Sequence, residues 1–179
     1  MDEALRNTLG WLSRIDTVGL LAVRRMRSPV VDRLMIALSR AGDRSSWLLH
    51  AALLFAASAC RDLQLLALTV SAALLATVAS QLLKRACRRP RPNCAVRGFE
   101  SVLENPDAFS FPSGHTAAAF AVTTALAGAY PGLAAAELAF AVGVAVSRIY
   151  NGAHYPLDVA AGAALGAACG TMTAFCLLA

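Results

Sequence analysis

The sequence is short of charge. Only 15% of its 179 residues are Asp, Glu, Lys or Arg, whereas 58% are hydrophobic. Soluble domains usually carry nearer a quarter charged residues. This shortage and a mean hydropathy of +0.57 exclude an ordinary water-soluble globule and indicate a membrane protein. The five cysteines, Cys60, Cys87, Cys94, Cys169 and Cys176, form no Cys-x-x-Cys pair and show no zinc spacing with histidine. Cys87 and Cys94 share one loop and could pair in an oxidising compartment, but two unrelated thiols are the favoured reading. The N-terminus lacks the pattern of a secretory signal. Asp2 and Glu3 are acidic, and Arg14 and Asp16 interrupt the apolar stretch. Internal repeats and low-complexity tracts are also missing, and one domain is the default at this length.

What is present is a net charge of +5, with Lys and Arg gathered in the first 44 residues and in 84–97. Both stretches flank apolar runs. A membrane surface or an anionic lipid head group fits them better than nucleic acid, which calls for a basic patch on a soluble fold. A bilayer core takes about 20 apolar residues in a helix. Residues 63–83 and 159–179 carry no charge and suit spans. Residues 116–146 hold only Glu137 and break at the turn signal Tyr130-Pro131-Gly132, giving spans at about 114–130 and 132–148. Residues 45–60, with His50 inside, make the first span. The expected fold is all-α, a multi-pass transmembrane bundle of five spans. In residues 1–44, Arg6, Arg14, Asp16, Arg24, Arg25, Asp32 and Arg33 punctuate the apolar positions. This segment reads as one or two interfacial amphipathic helices, with a sixth span as the alternative. The chain thus divides into an interfacial segment, 1–44, and a transmembrane domain, 45–179.

Spans alternate sides, so the ends near Lys84, Ser113, Arg148 and Asp158 must share one membrane face. Three polar clusters meet there. In the first, Lys84, Arg85, Arg88, Arg89 and Arg91 suggest an anion, since the planar Arg fork and the compact Lys charge both suit phosphate oxygens. A basic stop signal at the membrane edge is the plainer alternative. The second is Phe111-Pro112-Ser113-Gly114-His115-Thr116. Ser113 is an N-cap signal, Gly114 permits close backbone approach, and free N–H groups at a helix start bind phosphate. His115 there could donate a proton; simple capping with a surface histidine is the alternative. The third runs from Ser147 to Asp158, with Asp158 one helical turn from His154. A carboxylate so placed can keep one ring nitrogen protonated, leaving the other oriented and nucleophilic. A purely structural His–Asp pair is the weaker reading beside Arg148 at a membrane face. Together the clusters contain the parts that phosphoryl transfer requires: cations, an in-line nucleophile and a proton donor. No Asp, Glu and His cluster has metal-ligand spacing, so no metal or other cofactor is expected.

The pattern Lys84-x6-Arg91-Pro92, Pro112-Ser113-Gly114-His115 and Ser147-Arg148-x5-His154-x3-Asp158 resembles the type 2 phosphatidic acid phosphatase superfamily. Three motifs in order at the family's internal spacings are very specific, and no motif position departs from the pattern. The resemblance implies that Lys84, Arg91 and Arg148 bind the substrate phosphate with help from Ser113 and Gly114. It further implies that His154 attacks phosphorus to form a phosphohistidine, Asp158 orients it, and His115 protonates the leaving oxygen and then serves as base. The implied substrate is a lipid phosphate or diphosphate, as in the bacterial undecaprenyl-diphosphate, phosphatidylglycerophosphate and lipid A phosphatases. The short length leans to the polyprenyl type. Phosphotransfer to a second lipid is one alternative. A non-catalytic protein that binds anionic lipids is another, but it gives no reason for the spacing of His115, His154 and Asp158.

Arg85, Arg88 and Arg89 are left over by the motifs and read as membrane-surface contacts. His50 reads as an interior hydrogen-bonded histidine, and Glu137 as a group reaching the interface near the 130–132 turn. Residues 93–111, with Glu100, Glu104 and Asp107, either cover the site or simply connect two spans. Positive-inside counting places the charged face in the cytoplasm. The family's bacterial members mostly face outward, and the extracytoplasmic face of the cell membrane is preferred here. The expected partners are the lipid substrate and membrane lipids, not nucleic acid; the sequence does not address oligomeric state.

Overall fold

The computed structural model describes residues 3–58, 62–96, 99–103 and 107–179, the side chains of residues 3–10 and 12 excepted. Cys60, Arg61, Arg97, Glu104 and the Arg6 side chain lie outside that description. The described residues are all-helical apart from turns, loops and one isolated bridge between Pro90 and Phe109. The helices are α1 (Glu3–Arg24), α2 (Pro29–Ala41), α3 (Ser46–Ala57), α4 (Leu63–Cys87), α5 (Pro92–Ala95), α6 (Gly114–Ala127), α7 (Pro131–Tyr150) and α8 (Pro156–Leu178).

Each expected span coincides with a helix, but among the described residues only α4, α7 and α8 are long and apolar enough to cross a membrane. The 12 residues of α3 and the 14 of α6 are shorter than the expected 45–60 and 114–130. At about 1.5 Å per residue they fall well short of a ~30 Å hydrocarbon core. Hydropathy could not mark the ends. Ser45 lies in the turn before α3 and Ser58 caps its end, while α6 is held between Ser113 and Gly128.

The bundle is built around α6, whose Ala117, Ala118, Ala121, Val122 and Ala125 are buried against α4, α7 and α8. Gly162, Gly166 and Gly170 form a stripe on α8 that lies directly on the α6 backbone. A Cβ at Gly166 would sit 2.3 Å from the Ala117 carbonyl oxygen, and one at Gly170 2.3 Å from that of Ala121. Small residues four apart allow this backbone-to-backbone packing. It locks the start of α6 beside the start of α8, where the Ser113 N–H donates to the Asp158 carbonyl at 2.9 Å. At the opposite end, Asp62 caps α4 through the Leu65 N–H and accepts from the Tyr130 hydroxyl at 2.7 Å.

The first 44 residues are not an appendage. Leu20 is buried with Phe99 and Tyr155, and a Cβ at Gly42 would meet Val144 of α7 at 2.7 Å. Asp16 and Ser39 are also buried, whereas Trp11, Ile15, Val18, Val30 and Leu34 are exposed. The inward face is therefore partly polar and the outward face apolar, the reverse of a helix on a soluble protein.

Two expectations need correction, those for Glu137 and Arg89, whereas the favoured reading of Cys87 and Cys94 as unrelated thiols stands. Glu137 is not at the surface: it is 6% exposed and its Oε1 lies 3.1 Å from His50 Nε2, a hydrogen-bond partner on α3, while its Oε2 has no partner among the described residues. His50 is accordingly the interior hydrogen-bonded histidine expected, stacked on Phe140. Arg89 is not a membrane-surface contact, because two buried carboxylates claim it. Cys87 and Cys94 are both free thiols.

Candidate active site

A cavity of about 560 Å³ opens where the ends of α4, α6 and α7 converge. Its wall carries Asp43, Lys84, Arg91, Asp107, His115 and Arg148. Lys84 closes the last turn of α4 and is buried, with its Nζ donating to Asp107 Oδ2 at 2.7 Å. Arg91 precedes Pro92 at the start of α5, where the proline suits the first helical turn. Arg91 Nη1 donates to the Ala153 carbonyl at 2.7 Å, its Nε donates to the Asp107 carbonyl at 2.8 Å, and its Nη2 pairs with Asp107 Oδ1. Arg148 ends α7 and donates through Nη1 to Ser39 Oγ, while its buried Nε has no protein partner among the described residues.

Ser113 caps α6, its hydroxyl 2.9 Å from that of Thr116. Gly114 follows with Ser80 Oγ 3.1 Å from where a Cβ would stand, so a larger residue would crowd α4. His115, one residue further, lines the cavity, with its Nε2 2.7 Å from Asp43 Oδ1.

His154 lies in the 151–155 turn, 1% exposed, behind Arg91. Its Nδ1 is 2.7 Å from the Ser110 carbonyl oxygen. A carbonyl only accepts, so Nδ1 carries the hydrogen and Nε2 keeps its lone pair. Nε2 lies 3.5 Å from Arg91 Nη1. Burial, reinforced by Arg148, Arg91 and Lys84, holds the imidazole well below its ordinary pKa, and the ring is neutral at pH 7. Asp158 is near but not bonded to it: Oδ2 is 3.7 Å from Nδ1 and accepts instead from the Tyr155 N–H at 2.9 Å. Asp158 Oδ1 accepts from Arg89 Nη1 at 2.6 Å. The ring is thus oriented in this structure by a loop carbonyl, with the carboxylate one layer behind.

The motif residues Lys84, Arg91, His115 and Arg148 share one wall, Ser113 and Gly114 form its helix start, and His154 and Asp158 stand behind it. Sequence reasoning missed Asp43, Asp107, Ser110, Ser39 and Asp16. Asp107 lies in the 93–111 loop, which therefore packs on the site and does more than connect. Burial pushes the Asp107 carboxyl up, but hydrogen bonds from Lys84 and Arg91 outweigh it and hold it at about 2. No signal in the sequence distinguished Asp107 from Glu100.

A helical membrane bundle with a basic cavity at its polar end, lined by His115 and backed by the buried His154, is the class that this fold and site define. Residues 64–178 match the PAP2 superfamily model, and the chain belongs to that superfamily. It is 37% identical over 99 residues to a lipid A 1-phosphatase of Rhizobium johnstonii, a match covering 53% of this chain and 41% of that protein. The chain thus spans less than half the length of that curated relative. Among solved structures it is similar to Aquifex aeolicus LpxE, with a TM-score of 0.72 and 30% identity over 86% of this chain and 91% of that one. It is also similar to a transmembrane PAP2-type phosphatidylglycerolphosphate phosphatase of Bacillus subtilis, with a TM-score of 0.72 and 25% identity over 90% and 84% of the two chains.

Proposed function

We propose that this protein is a metal-independent membrane phosphatase that hydrolyses a lipid phosphate or diphosphate through a phosphohistidine on His154. The observation that carries the proposal is the state of His154: neutral, with Nδ1–H fixed by Ser110 and the Nε2 lone pair beside Arg91. Lys84, Arg91 and Arg148 would neutralise the equatorial oxygens, and the N–H groups at the start of α6 would add to them. In the first step Nε2 attacks phosphorus, and a P–N bond forms as the P–O bond to the lipid breaks. The leaving oxygen takes a proton from His115. In the second step water gives a proton to His115 while its oxygen attacks phosphorus. The P–N bond then breaks, releasing phosphate and restoring the lone pair. Asp158 supports the imidazole from behind.

A lipid substrate is supported by a second, apolar groove of about 310 Å³ that shares Arg44, Trp47 and Thr77 with the cavity and continues along Leu48, Val70, Ala73 and Leu74. A hydrocarbon chain lying between α3 and α4 would leave its phosphate at the cations. In this reading the chain passes five times through the bundle, α4, α7 and α8 crossing as helices and the short α3 and α6 crossing together with the turns at their ends, with the apolar outer face of α1 and α2 on the membrane interface. The site faces the extracytoplasmic side and the C-terminus the cytoplasm. The relatives act on lipid A and phosphatidylglycerolphosphate, and the substrate assigned here is of that class, with polyprenyl diphosphate included. The test is phosphate release from short-chain lipid phosphates in detergent under excess chelator. Full turnover is expected, and loss of activity on chelation would overturn the metal-free step.

A further inference from the structure

The N-terminal segment delivers one carboxylate directly to a motif histidine. Asp43 Oδ1 is 2.7 Å from His115 Nε2, and no other carboxylate among the described residues bonds that ring. The placement is built in. Gly42 ends α2 against Val144, where a Cβ would stand 2.7 Å from Cγ1, so only glycine lets the chain come this close to α7. The Asp43 N–H then donates to the Arg40 carbonyl at 3.1 Å, and its own carbonyl accepts from Ser46 N–H at 3.0 Å. Both sides of the residue are pinned, and its carboxylate faces the cavity. Burial opposes a positive imidazole most, and Arg148 of α7 and Lys84 of α4, which also face His115, add to it. The start of α6 opposes it as well. Asp43 is the one anion bonded to the ring that favours it.

We infer that Asp43 is a positioning residue that fixes the His115 ring through Nε2–H and keeps Nδ1 as the nitrogen that gives and takes the proton. This rests on the reading of His115 as acid and base given above. Among the described residues Nδ1 has no hydrogen-bond partner. In the first step Nδ1–H passes to the leaving oxygen as its bond to phosphorus breaks, and the imidazolium becomes neutral. In the second step Nδ1 takes a proton from water as the water oxygen bonds to phosphorus. Asp43 holds the Nε2 hydrogen throughout. The residue lies outside all three sequence motifs, yet hydrogen-bonds its imidazole directly, as Asp158 does not bond His154.

The experiment compares an alkyl phosphate with a p-nitrophenyl phosphate, whose leaving group needs little protonation, across wild type, Asp43→Asn, Asp43→Glu and His115→Ala. Asp43→Asn should lose roughly 10- to 100-fold in kcat on the alkyl substrate and less than about threefold on the nitrophenyl one. The descending limb of its pH profile should move down by about one unit. Asp43→Glu should restore part of the alkyl activity. Equal losses on both substrates, with the pH limb unmoved, would overturn the role of Asp43. If His115→Ala itself loses both activities equally, the acid role of His115 fails as well. If His115→Ala discriminates and Asp43→Asn does not, only the inference about Asp43 falls.

Discussion

Arg89 lies between Asp16 and Asp158, 2.5 Å from a carboxylate oxygen of the first and 2.6 Å from one of the second. Both carboxylates are fully buried, and the guanidinium also sits 4.2 Å above the Tyr155 ring. Asp16 Oδ1 further accepts the Leu157 N–H at 2.8 Å, so α1 caps the first turn of α8 beside Asp158. A residue of the N-terminal helix is therefore tied to Asp158 through two ion pairs.

Removing that guanidinium leaves two buried charges facing each other. Arg89→Ala is expected to destabilise the protein by about 3 kcal/mol or more, since breaking a buried pair from one side costs that much. Arg89→Lys should lose less, because one ammonium can still reach one carboxylate. Thermal unfolding in detergent measures both. An Arg89→Ala variant as stable as wild type would show that the clamp carries no structural load.

Asp107 gives a pH dependence with a definite sign. Its carboxyl is held at about 2 in the folded protein, against burial, by hydrogen bonds from Lys84 and Arg91. A depressed carboxyl contributes stability above its unfolded value near ~3.9, and loses it as pH falls toward the folded one. The stability difference between wild type and Asp107→Asn should be on the order of 2 kcal/mol at pH 7 and shrink as pH falls from about 4 to about 2. Inorganic phosphate should stabilise Asp107→Asn more than wild type, because phosphate and the carboxylate compete for the same two cations. A pH-independent difference between the two proteins would contradict this assignment.

The groove between α3 and α4 predicts a chain-length effect. Ala73 is buried on the α4 side of that groove. Ala73→Phe fills the groove and should raise KM for a long-chain lipid phosphate by roughly tenfold, while a water-soluble phosphate changes little. Steady-state kinetics on both substrates decides it. An equal change on the two would place the chain elsewhere.

The three motifs were legible because their chemistry demands fixed residues at fixed spacing on helix ends. Lys84, Arg91, His115 and Arg148 meet at one cavity for that reason. The order and type of the helices followed from uncharged runs and from the Tyr130-Pro131-Gly132 turn signal, at which α7 begins. The carboxylates were not legible. Asp16, Asp43 and Asp107 each look like a polar punctuation mark in an amphipathic or loop segment, and their partners lie 73, 72, 23 and 16 residues away. Arg89 was hidden by its neighbours, since nothing local separates a buried arginine from the exposed Arg85 and Arg88. The four-residue spacing of Gly162, Gly166 and Gly170 is visible in the sequence, but the helix it accommodates is known only from the packing. The lengths of α3 and α6 depended on the turn at Ser45 and the caps at Ser58 and Ser113, which hydropathy does not register.

The phosphoenzyme is the most direct test of the central claim. A lipid phosphate labelled in its phosphoryl group is mixed with the protein, quenched in alkali within one turnover, and the labelled peptide is sequenced. The account predicts an alkali-stable, acid-labile label on His154, phosphorylated at Nε2 and absent from His154→Ala. A label on another residue, or full turnover by His154→Ala, would contradict it.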